Sequence, residues 1–410
     1  MITKHKCSNG VRVILEQIPS VRSVAIGVWI GAGSRYETDE TNGISHFLEH
    51  MFFKGTKTKN AREIAEAFDA IGGQVNAFTS KEYTCYYAKV LDEKAEYALD
   101  LLTDMFFNSV FDEDELIKER NVVLEEINMY EDSPDEMVHE LLSEASFGEH
   151  PLAKPILGTE DTLLQFDRTT LETYRQKFYS PENVVISVAG NISDHFIREV
   201  ESKFGSYETV YEKPNLQRPT FYANKLNRKK DTEQSHLCIG FAGLPYGDER
   251  IYHLAILNNL LGGSMSSRLF QEVREERGLA YSVFSYHASF IDTGLLTIYA
   301  GTAPEQTENV YETIINTIFL LKEKGITARE LENSKAQLKG NLMLSLESTN
   351  SRMSRNGKNE LLLNTQKSLD DMIASIESVT LASVNELAKE IFNDNFSASS
   401  ISPSGRLLTI

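Results

Sequence analysis

Two histidines and a glutamate fall within five consecutive positions of an otherwise apolar run, "NGISHFLEHMFFKGT", at residues 42–56. His46 and His50 are four residues apart, so on an α-helix their side chains project roughly 40° apart around the axis and about 6 Å apart along it. Both rings could then reach one metal ion. Glu49 lies on the neighbouring edge of the same face, where a carboxylate can hydrogen-bond a water at the metal. The pentapeptide HFLEH therefore predicts a metal site on a helix.

A second interpretation of HFLEH is a buried helix that happens to carry two imidazoles. A histidine on an apolar helix face is often a core residue with satisfied hydrogen bonds. The flanking apolar run, however, would bury unpaired polar groups at a cost of about 1–3 kcal/mol each, and this cost favours a metal. Imidazole and carboxylate ligands with an open fourth position suit Zn²⁺. Read backwards, the motif is H-E-x-x-H, the helix pattern of zinc peptidases, so the same roles can be met with the helix direction reversed.

A catalytic zinc ion needs a third protein ligand, and the region from residue 101 to 150 is strongly acidic. It holds fifteen Asp and Glu residues against only two basic ones. Its segment "DEDELIKERNVVLEEINMYED" predicts a helix. Glu119 and Glu126 are two turns apart on that helix and project along nearly the same line, whereas Glu125 points elsewhere. Spacing alone does not choose among these carboxylates, and a solvated helix face would explain any one of them.

Around these residues, strand-like and helix-like segments alternate. Two alternating runs joined at Asn9-Gly10 predict a β-hairpin. The β-branched and aromatic content of "SVAIGVWIGAG", "QVNAFTSKEYTCYYAKVL" and "NVVISVAGNI" predicts further strands. The segment "NAREIAEAFDAIGG" predicts a helix that ends at its glycine pair, and acidic helices are predicted over 92–147.

The second half of the chain repeats the pattern of the first. A polar, Pro-bearing stretch at about 211–234 predicts a linker. After it, "SHLCIGFAGLPYGDERIYHLAILNNLLGG" echoes "SVAIGVWIGAGSRYETDETNGISHFLEHMFFKG", because both pass from an apolar β run through a Gly-containing turn into an apolar helix. The second copy has "LAILNNL" at 254–260 where the first has "ISHFLEH". We therefore expect two similar halves, of which one carries the metal motif.

The composition narrows the class of partner. The chain has 410 residues, 41% hydrophobic and 25% charged, as in a globular protein of two to four domains. Its net charge of −19 argues against binding nucleic acid or an anionic membrane, which both require clustered Lys and Arg, and is compatible with basic peptides. No apolar run approaches the ~18 residues of a membrane span, and the N-terminus lacks the apolar core of a signal peptide. With three scattered cysteines, we expect a cytoplasmic protein with free thiols.

With HFLEH and "ERNVVLEEI" both identified, the chain resembles the pitrilysin/insulinase family of zinc peptidases, the inverzincins. It is most similar to the bacterial processing-peptidase-like branch, related to the β subunit of mitochondrial processing peptidase. The family's third ligand is a glutamate at a matching distance downstream, which selects Glu126, 76 residues after His50. A second glutamate seven positions earlier supports the family's site and matches Glu119. The resemblance thus implies one Zn²⁺ per chain, held by His46, His50 and Glu126.

The resemblance also implies an α+β architecture with two similar domains, each a largely antiparallel sheet covered by helices. We place a zinc-binding peptidase domain at 1–212, a linker at 213–232, and at 233–410 a homologous, substrate-holding domain without the zinc motif. Family members enclose substrate in a chamber of four such domains. A homodimer of this chain would complete such a chamber.

Two more segments match substrate-holding parts of the family. "GGQVNAFTSKEYTCYY" matches an edge strand on which a peptide is laid as an added β-strand, with Asn76, Ala77 and Phe78 at the substrate-contacting positions. "EVREERGLAYSV" matches an Arg and Tyr pair that holds a substrate carbonyl, and this assigns those roles to Arg274 and Tyr281.

The resulting hypothesis is a zinc-dependent metalloendopeptidase that hydrolyses short or unfolded peptides inside a closed dimeric chamber. Glu49 is assigned as the catalytic base, with Glu119 supporting the site. The alternative is a non-catalytic or partner-dependent peptide-binding subunit of a processing-peptidase-like complex, because some relatives keep the fold without the chemistry. Those relatives usually have broken zinc motifs, whereas every expected residue is present here.

Overall fold

The computed structural model describes residues 2–209, 214 and 216–406, which form two compact units. The first unit consists of Met1–Ile127, Pro155–Leu216 and Ser345–Gln366, and the second of Asn128–Lys154, Gln217–Leu344 and Lys367–Ile410. Each unit is built on one β-sheet covered by helices. The predicted α+β class with two similar domains is confirmed.

The first unit contains a six-stranded sheet with the order β1-β2-β6-β3-β5-β4. Its strands are β1 Ile2–Lys6, β2 Arg12–Gln17, β3 Ser23–Ile30, β4 Gln74–Thr79, β5 Thr84–Leu91 and β6 Val184–Gly190. Only β2 and β6 pair in parallel. The hairpin predicted at Asn9-Gly10 joins β1 to β2, and Gly10 supplies the turn with a φ of 109° that other residues rarely adopt. The two edges of the sheet are β1 and β4.

The first four helices of this unit follow the predicted segments, and its other helices were not predicted. They are α1 Ile44–Met51, α2 Ala61–Ala70, α3 Ala95–Asn108, α4 Glu113–Glu131, which begins in this unit, α6 Glu160–Leu163, α7 Arg168–Phe178, α8 His195–Phe204 and α12 Thr349–Leu363. Helix α2 begins at a capping box in which Asn60 accepts from the Glu63 amide and the Glu63 carboxylate accepts from the Asn60 amide. The described residues contain no helix that is long and apolar enough to cross a membrane.

Helix α12 crosses the sheet at a point where two glycines allow close approach. It packs on β2, β3 and β6, where buried Trp29 donates a hydrogen bond to Met353 Sδ at 3.3 Å. A Cβ atom at Gly357 would overlap the Trp29 indole, and one at Gly27 would overlap Met353 Sδ. The helix can therefore lie on this sheet only while both positions lack a side chain.

We expect Gly357→Ala to lower the free energy of unfolding by about 1–3 kcal/mol, because the fully packed Trp29 must move. The matched control is Gly340→Ala in a different helix, where an added Cβ meets no atom within 4 Å. That control should be neutral or stabilise by up to about 1 kcal/mol, the helix propensity of alanine over glycine. Urea denaturation of both variants measures the difference, and equal effects would contradict this account of the crossing.

The second unit contains a five-stranded sheet with the order β7-β11-β8-β10-β9. Its strands are β7 Lys225–Lys229, β8 Ser235–Gly243, β9 Ala280–Ser289, β10 Gly294–Thr302 and β11 Phe396–Ser402, and its helices are α5 Pro134–Phe147, α9 Ile251–Leu261, α10 Thr307–Lys324, α11 Ala328–Ser345, α13 Leu369–Glu377 and α14 Leu381–Ile391. Only β7 and β11 pair in parallel. Helix α5 packs on β8 and β11 of this sheet. Helix α12 packs on the sheet of the first unit in a similar way.

The compact units differ from the continuous stretches 1–212 and 233–410 in one respect. Each unit takes in a segment from the other half of the chain, 128–154 in one direction and 345–366 in the other. Residues 225–229, inside the linker predicted at 213–232, form the edge strand β7. Residues 212 and 213 themselves lie outside the described residues. Hydrophobic periodicity marks α5 and α12 as amphipathic helices but contains no information on which sheet each one covers.

Candidate metal centre

Helix α1 carries the HFLEH motif and is fixed at its start by a buried carboxylate. Glu37 accepts hydrogen bonds from the backbone amides of Gly43 and Ser45, each at 2.8 Å, so it satisfies donors that the first turn leaves unpaired. Burial raises the pKa of Glu37, and these hydrogen bonds partly oppose the rise. Gly43 has a φ of 94°, and a Cβ there would lie 2.6 Å from the Leu157 carbonyl oxygen. The buried Glu37 carboxylate and the need for glycine at position 43 therefore fix where α1 begins.

Helix α4 presents the predicted carboxylates to α1. Two residues before its start, Phe111 adopts a left-handed backbone (φ 47°), a conformation that costs on the order of 1–3 kcal/mol in a bulky residue. Its ring is buried edge-on against Phe52, with 5.9 Å between centroids, and this packing holds the entry to the helix. Glu119 and Glu126 both face the histidines, as the two-turn spacing predicts.

Three ligand atoms converge between the two helices. His46 Nε2 and His50 Nε2 are 3.3 Å apart, and Glu126 Oε2 lies 3.8 Å from the first and 3.7 Å from the second. A point equidistant from the corners of this triangle is about 2.1 Å from each, which matches Zn–N and Zn–O bonds of about 2.0–2.2 Å. A shared cation would stabilise these electron-rich atoms at such separations, and a proton between the two Nε2 atoms is the other arrangement that 3.3 Å allows. The residues present therefore fit a zinc ion with three protein ligands.

A second layer of contacts orients His50. Its Nδ1 donates to Glu119 Oε1 at 2.7 Å, which leaves the Nε2 lone pair free for a metal. Lys54 Nζ lies 2.6 Å from the other oxygen, Glu119 Oε2. Burial acts to raise the pKa of Glu119, but the hydrogen bonds from His50 and Lys54 outweigh it and hold that pKa below its ordinary value. Glu119 is thus a buried, charged partner of a ligand residue.

His46 is held as a neutral imidazole. Burial, followed by the neighbouring His50, lowers its pKa to about 3. Its Nδ1 is buried and has no hydrogen-bond partner among the residues that the structure describes. A neutral imidazole is the form that binds a metal, so the burial of this ring suits it as a ligand.

Glu49 stands apart from the three ligand atoms and bonds to the edge of the sheet. Its Oε2 accepts a hydrogen bond from Thr79 Oγ1 at 2.5 Å, and Thr79 is the last residue of β4. Burial raises the pKa of Glu49, and the Thr79 hydroxyl opposes that rise. A partly desolvated carboxylate beside the metal position is suited to accept a proton.

Thr79→Val should lower kcat about 10-fold or more, because it removes a hydroxyl that donates to an ionised carboxylate while keeping the side-chain shape. Zinc content should stay unchanged, since the Thr79 hydroxyl bonds to Glu49, which is not one of the three converging ligand residues. Thr79→Ser retains the hydroxyl and should recover most of the activity. Steady-state kinetics with parallel zinc analysis tests this, and a fully active valine variant would contradict it.

The three predicted substrate-contacting residues lie on β4, which pairs on one side only. Asn76 is exposed, and its Oδ1 accepts from the Ala77 backbone amide at 2.8 Å. The Phe78 ring packs edge-on against Trp29, with 5.6 Å between centroids. The outer side of β4 is thus an unpaired edge on which the Ala77 amide is bonded to the Asn76 side chain, while the Phe78 ring belongs to the packing of the sheet.

The predicted Arg and Tyr pair lies in the second unit, where the two side chains touch. The Arg274 guanidinium is 4.8 Å from the ring centroid of Tyr281 and also 4.8 Å from that of Phe270, so two aromatic rings hold it. Arg274 belongs to a π-helical segment, Phe270–Glu275, a rare conformation that is frequent at functional sites. The Tyr281 side chain is 78% exposed. Their role towards substrate stays a prediction.

Comparison with known proteins identifies the family. The description "insulinase (peptidase family M16)" matches residues 12–160, and "peptidase M16 inactive domain" matches 165–338. The chain belongs to the M16 peptidase family. A Bacillus subtilis relative named as the uncharacterized zinc protease YmxG is 64% identical over 407 residues, covering 99% of this chain and 100% of the relative.

Other members of the M16 family agree. An uncharacterized zinc protease of Streptomyces coelicolor is 42% identical, covering 96% of this chain and 88% of the relative. A crystal structure of a Helicobacter pylori protease shares the fold, with a TM-score of 0.92 at 24% identity over 98% of this chain and 99% of that one. The relatives' names and the family support a zinc-dependent peptidase.

Four residues of this M16 chain that the sequence reasoning did not identify also shape the candidate sites. They are Glu37, Lys54, Thr79 and Phe270. Lys54 lies three residues beyond the end of α1 and pairs with Glu119, so helical spacing from His50 does not indicate it. Glu37 lies six and eight positions before Gly43 and Ser45, and Phe270 lies four positions before Arg274, but neither belongs to a recognisable motif. Thr79 acts across 30 residues of chain, and only the fold brings it to Glu49.

Proposed function

We propose that this chain is a zinc-dependent metalloendopeptidase that hydrolyses peptide bonds in short or unfolded peptides. The observation that carries the proposal is the triangle of His46 Nε2, His50 Nε2 and Glu126 Oε2, whose dimensions suit zinc, with the Glu49 carboxylate near enough to interact electrostatically with His50 and Glu126. Three protein ligands leave a fourth position open, which is the arrangement of a catalytic zinc ion.

Each residue of the centre has a distinct part in this proposal. When bound, zinc polarises the scissile carbonyl and makes water a nucleophile near neutral pH. Glu49 accepts the proton of the attacking water and then donates it to the leaving amine. Thr79 holds Glu49 in position, and Glu119 fixes the ring of His50. The chain supplies the base and its orientation without using Glu49 as a ligand.

The edge strand β4 is proposed to hold the substrate as an added strand. Its outer side has no partner strand among the described residues, and it ends at Thr79, the residue that bonds to Glu49. A peptide paired with Asn76, Ala77 and Phe78 would run towards the catalytic base. Backbone pairing accepts many sequences but only in an extended conformation, and this favours unfolded peptides over folded proteins.

Substrate peptides with N-methylated backbones test this pairing. In an added strand, alternate residues of the peptide would donate their N–H groups to β4. Methylation at either of two such positions should lower kcat/KM about 5-fold for each hydrogen bond lost, since a typical net value is about 1 kcal/mol. Methylation at the residue between them, whose N–H faces away from β4, serves as the matched control and should have a much smaller effect. Equal losses at all positions would contradict strand addition.

We further propose that two copies of the chain form a closed chamber and that Arg274 and Tyr281 hold the substrate there. The contact between these two side chains supports a joint role. The chain's net charge of −19 suits peptides with basic residues. Three buried, free cysteines support a cytoplasmic location, where thiols stay reduced. Light scattering under assay conditions should find a dimer, and a purely monomeric active enzyme would overturn the chamber.

The alternative function is a non-catalytic or partner-dependent peptide-binding subunit. The match of residues 165–338 to the description "peptidase M16 inactive domain" is the observation that favours this alternative. The purified chain, assayed alone on a quenched fluorescent peptide library, should cleave peptides, lose that activity with chelator and regain it with zinc. Peptide binding without cleavage would identify the non-catalytic subunit, and cleavage only after addition of a second protein would identify the partner-dependent one.

A further inference from the structure

A second group of metal-binding residue types lies at the opposite edge of the first sheet. His5 is in the edge strand β1, and Cys7 follows that strand directly. Because side chains two apart in an extended segment share a face, both point to the side that α8 covers. Glu201 projects from α8 towards them, and one ligand atom from each of the three lies within 4.8 Å of the others.

The contacts inside this cluster leave donors unused. His5 Nε2 lies 3.3 Å from Glu201 Oε2, yet in a geometry that makes no hydrogen bond, and this buried nitrogen has no hydrogen-bond partner among the described residues. Cys7 is a free thiol, 2% exposed. An exposed ion pair beside an ordinary core cysteine would account for the residue types. It leaves His5 Nε2 beside a carboxylate oxygen without a hydrogen bond, and a shared cation would satisfy both atoms.

We propose that His5, Cys7 and Glu201 form a second site for zinc or a similar thiophilic divalent cation. Imidazole, thiolate and carboxylate are all zinc ligands, and the thiolate favours soft or borderline metals over Mg²⁺ and Ca²⁺. The separations of up to 4.8 Å need to shorten by about 1 Å to reach the edges of a tetrahedral zinc site. Both His5 and Glu201 are partly exposed, which gives a cation access and leaves a position for water.

This site would join the N-terminal hairpin to α8. Metal binding replaces the thiol proton of Cys7, which is released to solvent, and forms a sulfur–metal bond. Since β1 and β4 are opposite edges of a six-stranded sheet, five strand spacings separate them, about 24 Å. The second cation would therefore bind independently of the one at His46 and would hold structure rather than contact substrate.

Cobalt(II) titration of the metal-free full-length chain tests this inference, because cobalt takes zinc's ligands and a thiolate ligand adds an intense near-ultraviolet charge-transfer band. The candidate centre of α1 and α4 has only nitrogen and oxygen donors, so it cannot produce that band. We expect two equivalents of cobalt per chain, one of them accompanied by the band. A single equivalent without the band would overturn the second site and leave the proposed peptidase unaffected.

Three variants locate the band. Cys7→Ser should abolish it and remove one equivalent, whereas the matched control Cys238→Ser, a buried free cysteine of the second unit, should keep both equivalents. Glu201→Gln, a change of similar size at a part-exposed helix position, should leave folding undisturbed and raise the cobalt concentration for half-saturation of the band about 10-fold or more. A band that survives in Cys7→Ser, or one unchanged in Glu201→Gln, would overturn the assignment.

Discussion

Replacing Glu49 by Gln is expected to lower kcat by about 10²- to 10⁴-fold, the usual contribution of a positioned general base. The amide has nearly the same shape as the carboxylate but cannot accept a proton at neutral pH. Glu49 is not among the three residues whose ligand atoms converge, so the variant should keep one zinc ion per chain. Turnover of a fluorogenic peptide, measured with zinc content by elemental analysis, checks both parts. Cleavage at the wild-type rate would refute the assignment.

A double-variant cycle shows whether Thr79 acts through Glu49. The Thr79 hydroxyl bonds to Glu49 Oε2, so its removal should cost about 10-fold or more in the wild type and almost nothing once Glu49 is Gln. Additive losses would mean that Thr79 supports activity by some other route, such as the packing of β4. The cycle therefore separates a positioning role from a structural one without requiring a substrate complex.

The HFLEH motif was predictable because its information is local. An α-helix places residues four apart on one face, and the structure brings the two Nε2 atoms to 3.3 Å. The second helix was also predictable, with Glu119 and Glu126 aligned two turns apart. The choice of Glu126 over Glu125 was not predictable from spacing, because that choice depends on how α4 is rotated about its axis. That rotation is set by tertiary packing, including buried Phe111.

In the fold, too, the features that depend on local sequence were predictable and those that depend on long-range packing were not. Strand and helix types followed from periodicity and turn chemistry, as at Asn9-Gly10 and the end of α2. The exchange of α5 and α12 between the two halves of the chain could not be predicted from these rules, since an amphipathic helix can cover either sheet. The glycine pair that admits α12, Gly27 and Gly357, is visible in the sequence but has meaning only when the two positions are known to meet. Local rules thus predicted elements such as the β1–β2 hairpin and α2, and long-range packing decided which elements pack together.

The third ligand is the part of the centre on which the sequence was ambiguous, and two adjacent glutamates test it. Glu126→Gln should raise the zinc dissociation constant by more than about 100-fold, because losing an indirect partner of a ligand already costs about 10–100-fold. Glu125→Gln is the matched control. It makes the same chemical change one residue away at an exposed position, and it should leave zinc affinity unchanged.

Competition with a chromogenic chelator measures both zinc affinities. Glu119→Gln should fall between the two variants, because its carboxylate orients His50 without facing the ion. We expect the loss of zinc affinity to decrease in the order Glu126, Glu119, Glu125. This order is specific to a centre in which α4 supplies one ligand, Glu126, and, two turns earlier, one carboxylate that orients a ligand, Glu119. A larger loss from Glu125→Gln than from Glu126→Gln would require α4 to be rotated by about 100°, the angle between adjacent helical residues, and would move the third ligand to Glu125.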